Sequence, residues 1–231
     1  MQINQFHDEK ELNKHLAQQL VTLLASAIEA RGRAYCVVSG GKTPVHLFQL
    51  LAESDIPWTK VTVCLADERC VGVADPARNE RMVKENLLQK RAQDADLISL
   101  YNEDLNLVDN LSLVEHSISA LPLFDAVILG MGEDGHTASL FPCSDELEHG
   151  LSDSASSVLL VNPKTAPYQR ISLSKKRLLQ SRAIFLQLLG EKKYVVLQEA
   201  LVTNNPSVMP ICAFLNHHHA NLHVMYAPNE E

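Results

Sequence analysis

Short apolar runs recur along the chain, each closed by a polar or glycine-rich break and followed by residues at helical spacing, and this alternation admits few folds. Ala34-Tyr35-Cys36-Val37-Val38 gives way to Ser39-Gly40-Gly41-Lys42-Thr43, with a helix expected from Pro44. Pro44 suits a first helical position and Thr43 an N-cap. Val61-Thr62-Val63-Cys64-Leu65-Ala66 ends in Asp67-Glu68-Arg69, and a helix is expected around 79–88. Phe124-Asp125-Ala126-Val127-Ile128-Leu129 runs into a glycine-rich loop that ends at His136. Upstream, Leu12, Leu16, Leu20, Leu23, Leu24, Ala27 and Ile28 stand three and four apart, which predicts an amphipathic helix over 8–30. Further strands are expected over 157–161, 171–173, 183–189 and 221–226, and helices over 175–182 and 192–201.

The pattern predicts one α/β domain over residues 1–231, a doubly wound, mostly parallel Rossmann-like sheet with helices on both faces. Apolar residues make up 46% of the chain and charged ones 21%, enough apolar material for a continuous core at 231 residues. Sheets of this kind take ligands outside the carboxyl ends of their strands. The three loops 39–43, 67–69 and 130–136 fall there.

Charge and cysteine usage narrow the function. The formal net charge is -8 with both signs mixed along the chain, which argues against nucleic acid and anionic membranes as partners. An anionic substrate would then need a local cluster of cations and N–H groups, sheltered from the average field by screening over ~8 Å. Cys36, Cys64, Cys70, Cys143 and Cys212 form no C-x-x-C pair. Met1-Gln2-Ile3-Asn4-Gln5-Phe6 lacks the regions of a signal peptide, and no apolar run approaches the ~20 residues of a membrane span. A cytoplasmic protein with reduced thiols is expected.

Each polar loop carries chemistry that competes with a plainer account. In Ser39-Gly40-Gly41-Lys42-Thr43 small residues let several N–H groups converge on one anion, against the alternative of a tight turn. It is no nucleotide P-loop, because the glycine required five positions before Gly41 is Cys36. Gly130-x-Gly132-x-x-Gly135 matches a dinucleotide fingerprint set between a strand and an expected helix. However, Glu133 and Asp134 would repel a pyrophosphate, and no acidic strand end follows about 20 positions on. A histidine directly after the third glycine reads better as a displayed functional group. Asp134, two residues before His136, could orient the imidazole for a general base.

Asp67-Glu68-Arg69 could offer carboxylates to sugar hydroxyls and a guanidinium to a phosphate or carbonyl oxygen, or be a surface salt-bridge cluster. Arg170 and Lys193, taken singly, read as solvated charges. His217-His218-His219 with His223 lacks any H-E-x-x-H or Cys/His framework and reads as incidental surface histidine, so no metal is expected. The nucleophile elbow G-x-S-x-G is absent, since Val37 stands where Ser39 would need a glycine.

Taken in order, Ser39-Gly40-Gly41-Lys42-Thr43-Pro44, Asp67-Glu68-Arg69, the run from Gly130-Met131-Gly132-Glu133-Asp134-Gly135-His136 through Thr137-Ala138-Ser139-Leu140-Phe141-Pro142, Pro167-x-x-Arg170-Ile171 and Gly190-x-x-Lys193 resemble the motifs of the glucosamine-6-phosphate isomerase/6-phosphogluconolactonase family. Arg69 and the residues after His136 favour its lactonase branch over the deaminases. The resemblance implies hydrolysis of 6-phospho-D-glucono-1,5-lactone to 6-phospho-D-gluconate, the second step of the oxidative pentose phosphate pathway, without metal or organic cofactor. It implies His136 as general base and Asp134 as its orienter. Ser39, Gly40, Gly41, Thr43, Asp67, Arg69, Arg170 and Lys193 would hold the phosphate and polar ring groups, with the pairing of cation to oxygen left open. One departure is Ala77-Arg78 before Asn79, where many relatives carry Ser, and Asn79 receives no role. A monomer or weak homodimer is expected. A deaminase or isomerase of amino-sugar phosphates and a non-catalytic sugar-phosphate sensor are the rival classes.

Overall fold

The computed structural model describes residues 1–218 and 220–228. Ten strands and eight helices are named among them. The strands are β1 (Gln2–Gln5), β2 (Ala34–Val38), β3 (Val61–Leu65), β4 (Asp67–Arg69), β5 (Asp96–Ile98), β6 (Ala126–Leu129), β7 (Val158–Val161), β8 (Arg170–Leu173), β9 (Ile184–Leu189) and β10 (Leu222–Ala227). The helices are α1 (Glu9–Arg31), α2 (Val45–Ala52), α3 (Asn79–Asn86), α4 (Leu107–Ser119), α5 (Leu147–Leu151), α6 (Lys175–Leu179), α7 (Glu191–Thr203) and α8 (Cys212–Leu215).

Seven strands form a parallel sheet in the order β1-β10-β9-β6-β2-β3-β5. Every residue of β3 and β6 is buried, as a central strand covered on both faces requires. The predicted α/β architecture is therefore present. From β2 the order runs through β3 to β5 on one side and through β6 to β9 on the other, so the reversal point lies between β2 and β6. Such a reversal opens a crevice at the carboxyl ends.

Helix α1 shows how the sequence fixes an element. Leu12, Leu16, Leu20 and Leu24 are at most 1% exposed and form one stripe at four-residue spacing. Asp8 caps the start by accepting from Glu11 N at 2.7 Å, and Gly32 ends the helix in the left-handed conformation at φ 80°.

Four expectations are corrected. The segments 157–161 and 171–173 do not join the parallel sheet: β7 and β8 pair antiparallel with each other and with β4 in a second sheet ordered β4-β8-β7. Asp67-Glu68-Arg69 is accordingly strand β4 itself. Ala66 is the joint, its N–H donating to Val38 O at 2.8 Å in one sheet while its carbonyl accepts from Leu173 N at 2.9 Å in the other. Pro44 precedes the first turn of α2 and Thr43 makes no capping bond. No helix follows Gly135, because 136–146 folds as turns before α5.

Alternation along β4 sends Glu68 to the face opposite its neighbours. Its buried carboxylate accepts from the backbone N–H of Arg69 at 2.6 Å, Asn79 at 2.8 Å and Glu80 at 2.7 Å. It thus caps α3 from another strand and sets Asn79 in place, so it is not a ligand for sugar hydroxyls. Burial pushes its carboxyl up to about 7 against those bonds. Burial also raises Glu80, but hydrogen bonds from Arg78, Lys84 and Ser99 outweigh it and bring the carboxyl down to about 2.

These two shifts act in opposite senses. Glu68, raised when folded, contributes fully below its ordinary 4.5, and that contribution fades as pH rises through about 7. Glu80, depressed when folded, contributes above 4.5 and loses that contribution as pH falls toward about 2. Glu80→Gln is expected to lower Tm at neutral pH and to flatten the fall of Tm below pH 4.5, measured by thermal melts across that range.

Candidate active site

A cleft of about 280 Å³ opens at the reversal between β2 and β6. Its walls hold Ser39, Gly40, Gly41 and Thr43 from the loop after β2, His136 from the loop after β6, Asp67 and Arg69 from β4, Arg170 from β8 and Lys193 from α7. All nine were singled out from sequence, and the fold brings them together from segments up to 154 positions apart in the chain, Ser39 to Lys193.

The loop after β6 boxes in one imidazole. Thr137 Oγ1 donates to Gly130 O at 2.8 Å, and Gly132 N donates to His136 O at 2.8 Å, which closes the loop on itself. Gly135 turns it at φ 75°. A Cβ on Gly132 would lie 2.1 Å from His136 Nδ1, so only glycine lets the ring lie there. Asp134 Oδ1 is 2.5 Å from His136 Nδ1 and also accepts from His136 N at 3.1 Å. Burial raises the Asp134 carboxyl, yet the bonds and charge of His136 hold it below the usual carboxylate range. An ionised Asp134 accepts from Nδ1–H, which leaves the lone pair on Nε2. Phe141 stacks on the ring with centroids 4.1 Å apart.

The opposite wall is cationic. Arg69 and Arg170 are direct partners across the antiparallel β4–β8 pair, so their side chains leave the sheet on one face. Like charges facing each other across strands are destabilising unless something lies between them. Arg170 is 7% exposed, which corrects its reading as a solvated charge. Its Nη1 lies 3.7 Å from an Asp67 oxygen, and Arg69 Nη1 donates to Ala77 O. The Nε atoms of both arginines and Ser39 Oγ are buried without a hydrogen-bond partner. Lys193 Nζ donates to Met131 O at 2.7 Å, on the His136 side, and burial lowers its pKa against the nearby Glu133 and Asp134.

Asp67 lines the cleft, but its oxygens are already engaged. Ser139 Oγ donates to Oδ2, and Asn79 Nδ2 lies 3.4 Å from Oδ1 and donates to the Asp67 carbonyl at 2.9 Å. Asn79 itself lines the cleft, as does Gln187. Sequence reasoning left Asn79 without a role and missed Gln187. Gln187 is the one polar residue in the apolar run of β9, a signal in plain view; it donates through Nε2 to Asn13 Oδ1 at 2.7 Å. Asn79 stood out in sequence as the start of a helix and as the residue preceded by Ala77-Arg78, and neither feature assigned it a role. His219 lies outside the described residues, and no group of three or more His, Cys, Asp or Glu among the described residues could hold a metal ion. Among the same residues no helix is long and apolar enough to cross a membrane.

Known proteins resemble this chain in sequence and fold. The family model of glucosamine-6-phosphate isomerases/6-phosphogluconolactonase matches residues 7–224. A curated 6-phosphogluconolactonase from Pseudomonas putida is 38% identical over 230 residues, covering 99% of this chain and 93% of its own. A crystal structure of a 6-phosphogluconolactonase from Shewanella baltica is similar at a TM-score of 0.95 and 42% identity, covering 98% of this chain and 97% of its own. A monomeric glucosamine-6-phosphate deaminase reaches a TM-score of 0.80 at 17% identity over 98% of this chain and 97% of its own, which shows a shared fold.

Two facing guanidiniums with unmet hydrogen-bonding capacity have the chemistry to grip an anion. Inorganic phosphate is expected to raise Tm, the stabilisation reaching about 2.7 kcal/mol at a hundredfold excess over Kd. Arg69→Gln and Arg170→Gln should each diminish that shift, read by thermal melts with and without phosphate.

Proposed function

The chain belongs to the glucosamine-6-phosphate isomerase/6-phosphogluconolactonase family, and we infer that it is a carboxylic ester hydrolase opening 6-phospho-D-glucono-1,5-lactone to 6-phospho-D-gluconate, the second step of the oxidative pentose phosphate pathway. One observation carries the reading beyond family membership. A single cleft presents an Asp-oriented imidazole on one wall and a pair of arginines on the other. The substrate has the matching polarity, an electrophilic carbonyl at one end and a phosphate at the other.

The phosphate lies between Arg69 and Arg170, where its charge removes the repulsion of the facing guanidiniums. Ser39 and the N–H groups around Gly40, Gly41 and Thr43 bind further oxygens from the loop after β2. Asp67 acts mainly by holding Arg170 and Asn79. The lactone carbonyl then faces His136.

Nε2 of His136 takes a proton from water as the water oxygen adds to C1. The carbonyl oxygen becomes an oxyanion, for which Lys193 beside the His136 loop supplies positive charge. Collapse breaks the bond from C1 to the ring oxygen, and the imidazolium returns its proton to that oxygen. Asp134 keeps the imidazole in the productive tautomer and stabilises the imidazolium. The steps consume one water and leave the histidine unchanged.

The whole chain serves as one catalytic domain, with a single apolar core cluster that runs from Leu12 to Ala227. We propose a monomer or weak homodimer. The five free cysteines fit a reducing cytoplasm.

Loss of freshly prepared lactone, measured above its spontaneous hydrolysis, is the test. His136→Ala is expected to lower turnover by ~10²–10⁴-fold with an unchanged melting curve. Gly132→Ala should also lower it strongly, since its Cβ displaces the imidazole. Near-normal turnover by a folded His136→Ala protein contradicts the mechanism. Ammonia released from glucosamine 6-phosphate, with no acceleration of lactone loss, would place the chain with the deaminases instead.

A further inference from the structure

We propose that Phe141 is a positioning residue that couples the two halves of the site, one ring fixing both the plane of the His136 imidazole and the place of the Arg170 guanidinium. The proposal rests on the reading of His136 as base and of the arginine pair as phosphate clamp. Phe141 is 2% exposed and stands behind the cleft wall, so it does not act by touching substrate. Its ring is stacked with that of His136, 4.1 Å between centroids and 28° between planes. The same ring carries the Arg170 guanidinium, with Cζ 5.0 Å from the centroid.

The polar contacts of both partners leave their planes free to tilt. The His136 side chain bonds through Nδ1 to Asp134, which fixes one atom but lets the plane tilt about it. Arg170 has a buried Nε without a partner, a long bond from Nη2 to Pro167 O at 3.3 Å and an ion pair to Asp67 at 3.7 Å. An aromatic face supplies what these contacts leave out, stacking for the imidazole and cation–π attraction for the guanidinium. An aliphatic side chain of similar size would fill the same space and provide neither.

The backbone is bent to bring the ring there. Ala138 takes a left-handed φ of 48°, uncommon for a residue with a side chain, and Thr137 and Leu140 pair as an isolated bridge. The chain thus returns on itself within five residues and lays Phe141 on His136. A core filler could be supplied from any neighbouring segment without that strained turn.

The consequence is a fixed span between base and clamp. Occupation of the clamp by phosphate orders Arg170, and through the shared ring it orders the imidazole. The test uses Phe141→Leu and Phe141→Met with Phe141→Tyr as the variant that keeps a ring. Four quantities are measured well below each Tm: kcat and KM on fresh lactone, Kd for inorganic phosphate by calorimetry, and the His136 ring resonances during a phosphate titration. For Leu and Met the expectation is a kcat lower by ~10-fold or more, since small misplacements of catalytic groups cost up to 10²-fold. Phosphate binding should weaken by ~3-fold or more through loss of the cation–π contact. Phe141→Tyr should keep both within a factor of about two, as its ring retains both faces.

In the wild type, saturating phosphate should shift the His136 ring resonances, and in Phe141→Leu it should not. A Leu or Met variant with lower Tm but unchanged kcat and phosphate Kd would reduce Phe141 to core packing and overturn the proposal. Loss of one property without the other overturns the coupling. If both variants fail to fold, a wild-type His136 ring that ignores saturating phosphate overturns it, and one that responds supports it. A wild type that fails to hydrolyse the lactone refutes the functional reading, whereas the phosphate titration still decides the coupling.

Discussion

Asp67 is 5% exposed, and a carboxylate so enclosed must be met by donors or charges on all sides. It draws them from three places: Ser139 from the loop after β6, Asn79 from the start of α3, and Arg170 from β8. The segments that build the site are held in register by the need to satisfy one charge. Its neighbour Glu68, pointing the other way, does the same for the backbone of α3. Adjacent acids on one three-residue strand thus organise both faces of the second sheet's edge.

The proposed base belongs to the parallel sheet and the proposed clamp to the antiparallel one, which separates two electrostatic demands. The imidazole needs a carboxylate close by to fix its tautomer, and the phosphate needs cations without a competing acid between them. Asp134 meets the first demand from the loop after β6, while Asp67 keeps to the side of Arg170. A net charge of -8 poses no obstacle at this range, because the facing guanidiniums act locally and distant charges are screened over ~8 Å.

Much of this was legible in the sequence. The central strands appear as apolar runs because both faces are buried, and His136 could be placed because a strand's carboxyl end is where such sheets bind ligands. The second sheet was not legible. Arg69 meets Arg170, 101 positions away in sequence, and pairing at that distance leaves no periodic trace in either segment. Strands β1 and β5 are short and partly exposed, so they lack the apolar run that marks the others. Helix α4 escaped for a different reason. Its stripe of Leu111, Val114 and Ile118 is blurred by Val108 and Leu113, which face solvent at 78% and 54% exposure. Arg170 and Lys193 looked like surface charges because burial, unlike residue type, is a property of the assembled fold.

The joint at Ala66, one residue hydrogen-bonded into both sheets, has a bearing on ancestry. The two halves of the site meet along that seam, at Asp67, at Ser172 and across the Phe141 ring, so inherited changes on β4 or β8 that keep those contacts can alter which charged group is gripped while the imidazole and its loop pass unchanged to descendants. Lineages can therefore diverge in what they recognise before they diverge in the scaffold that presents the base. A monomeric glucosamine-6-phosphate deaminase at 17% identity keeps the same fold.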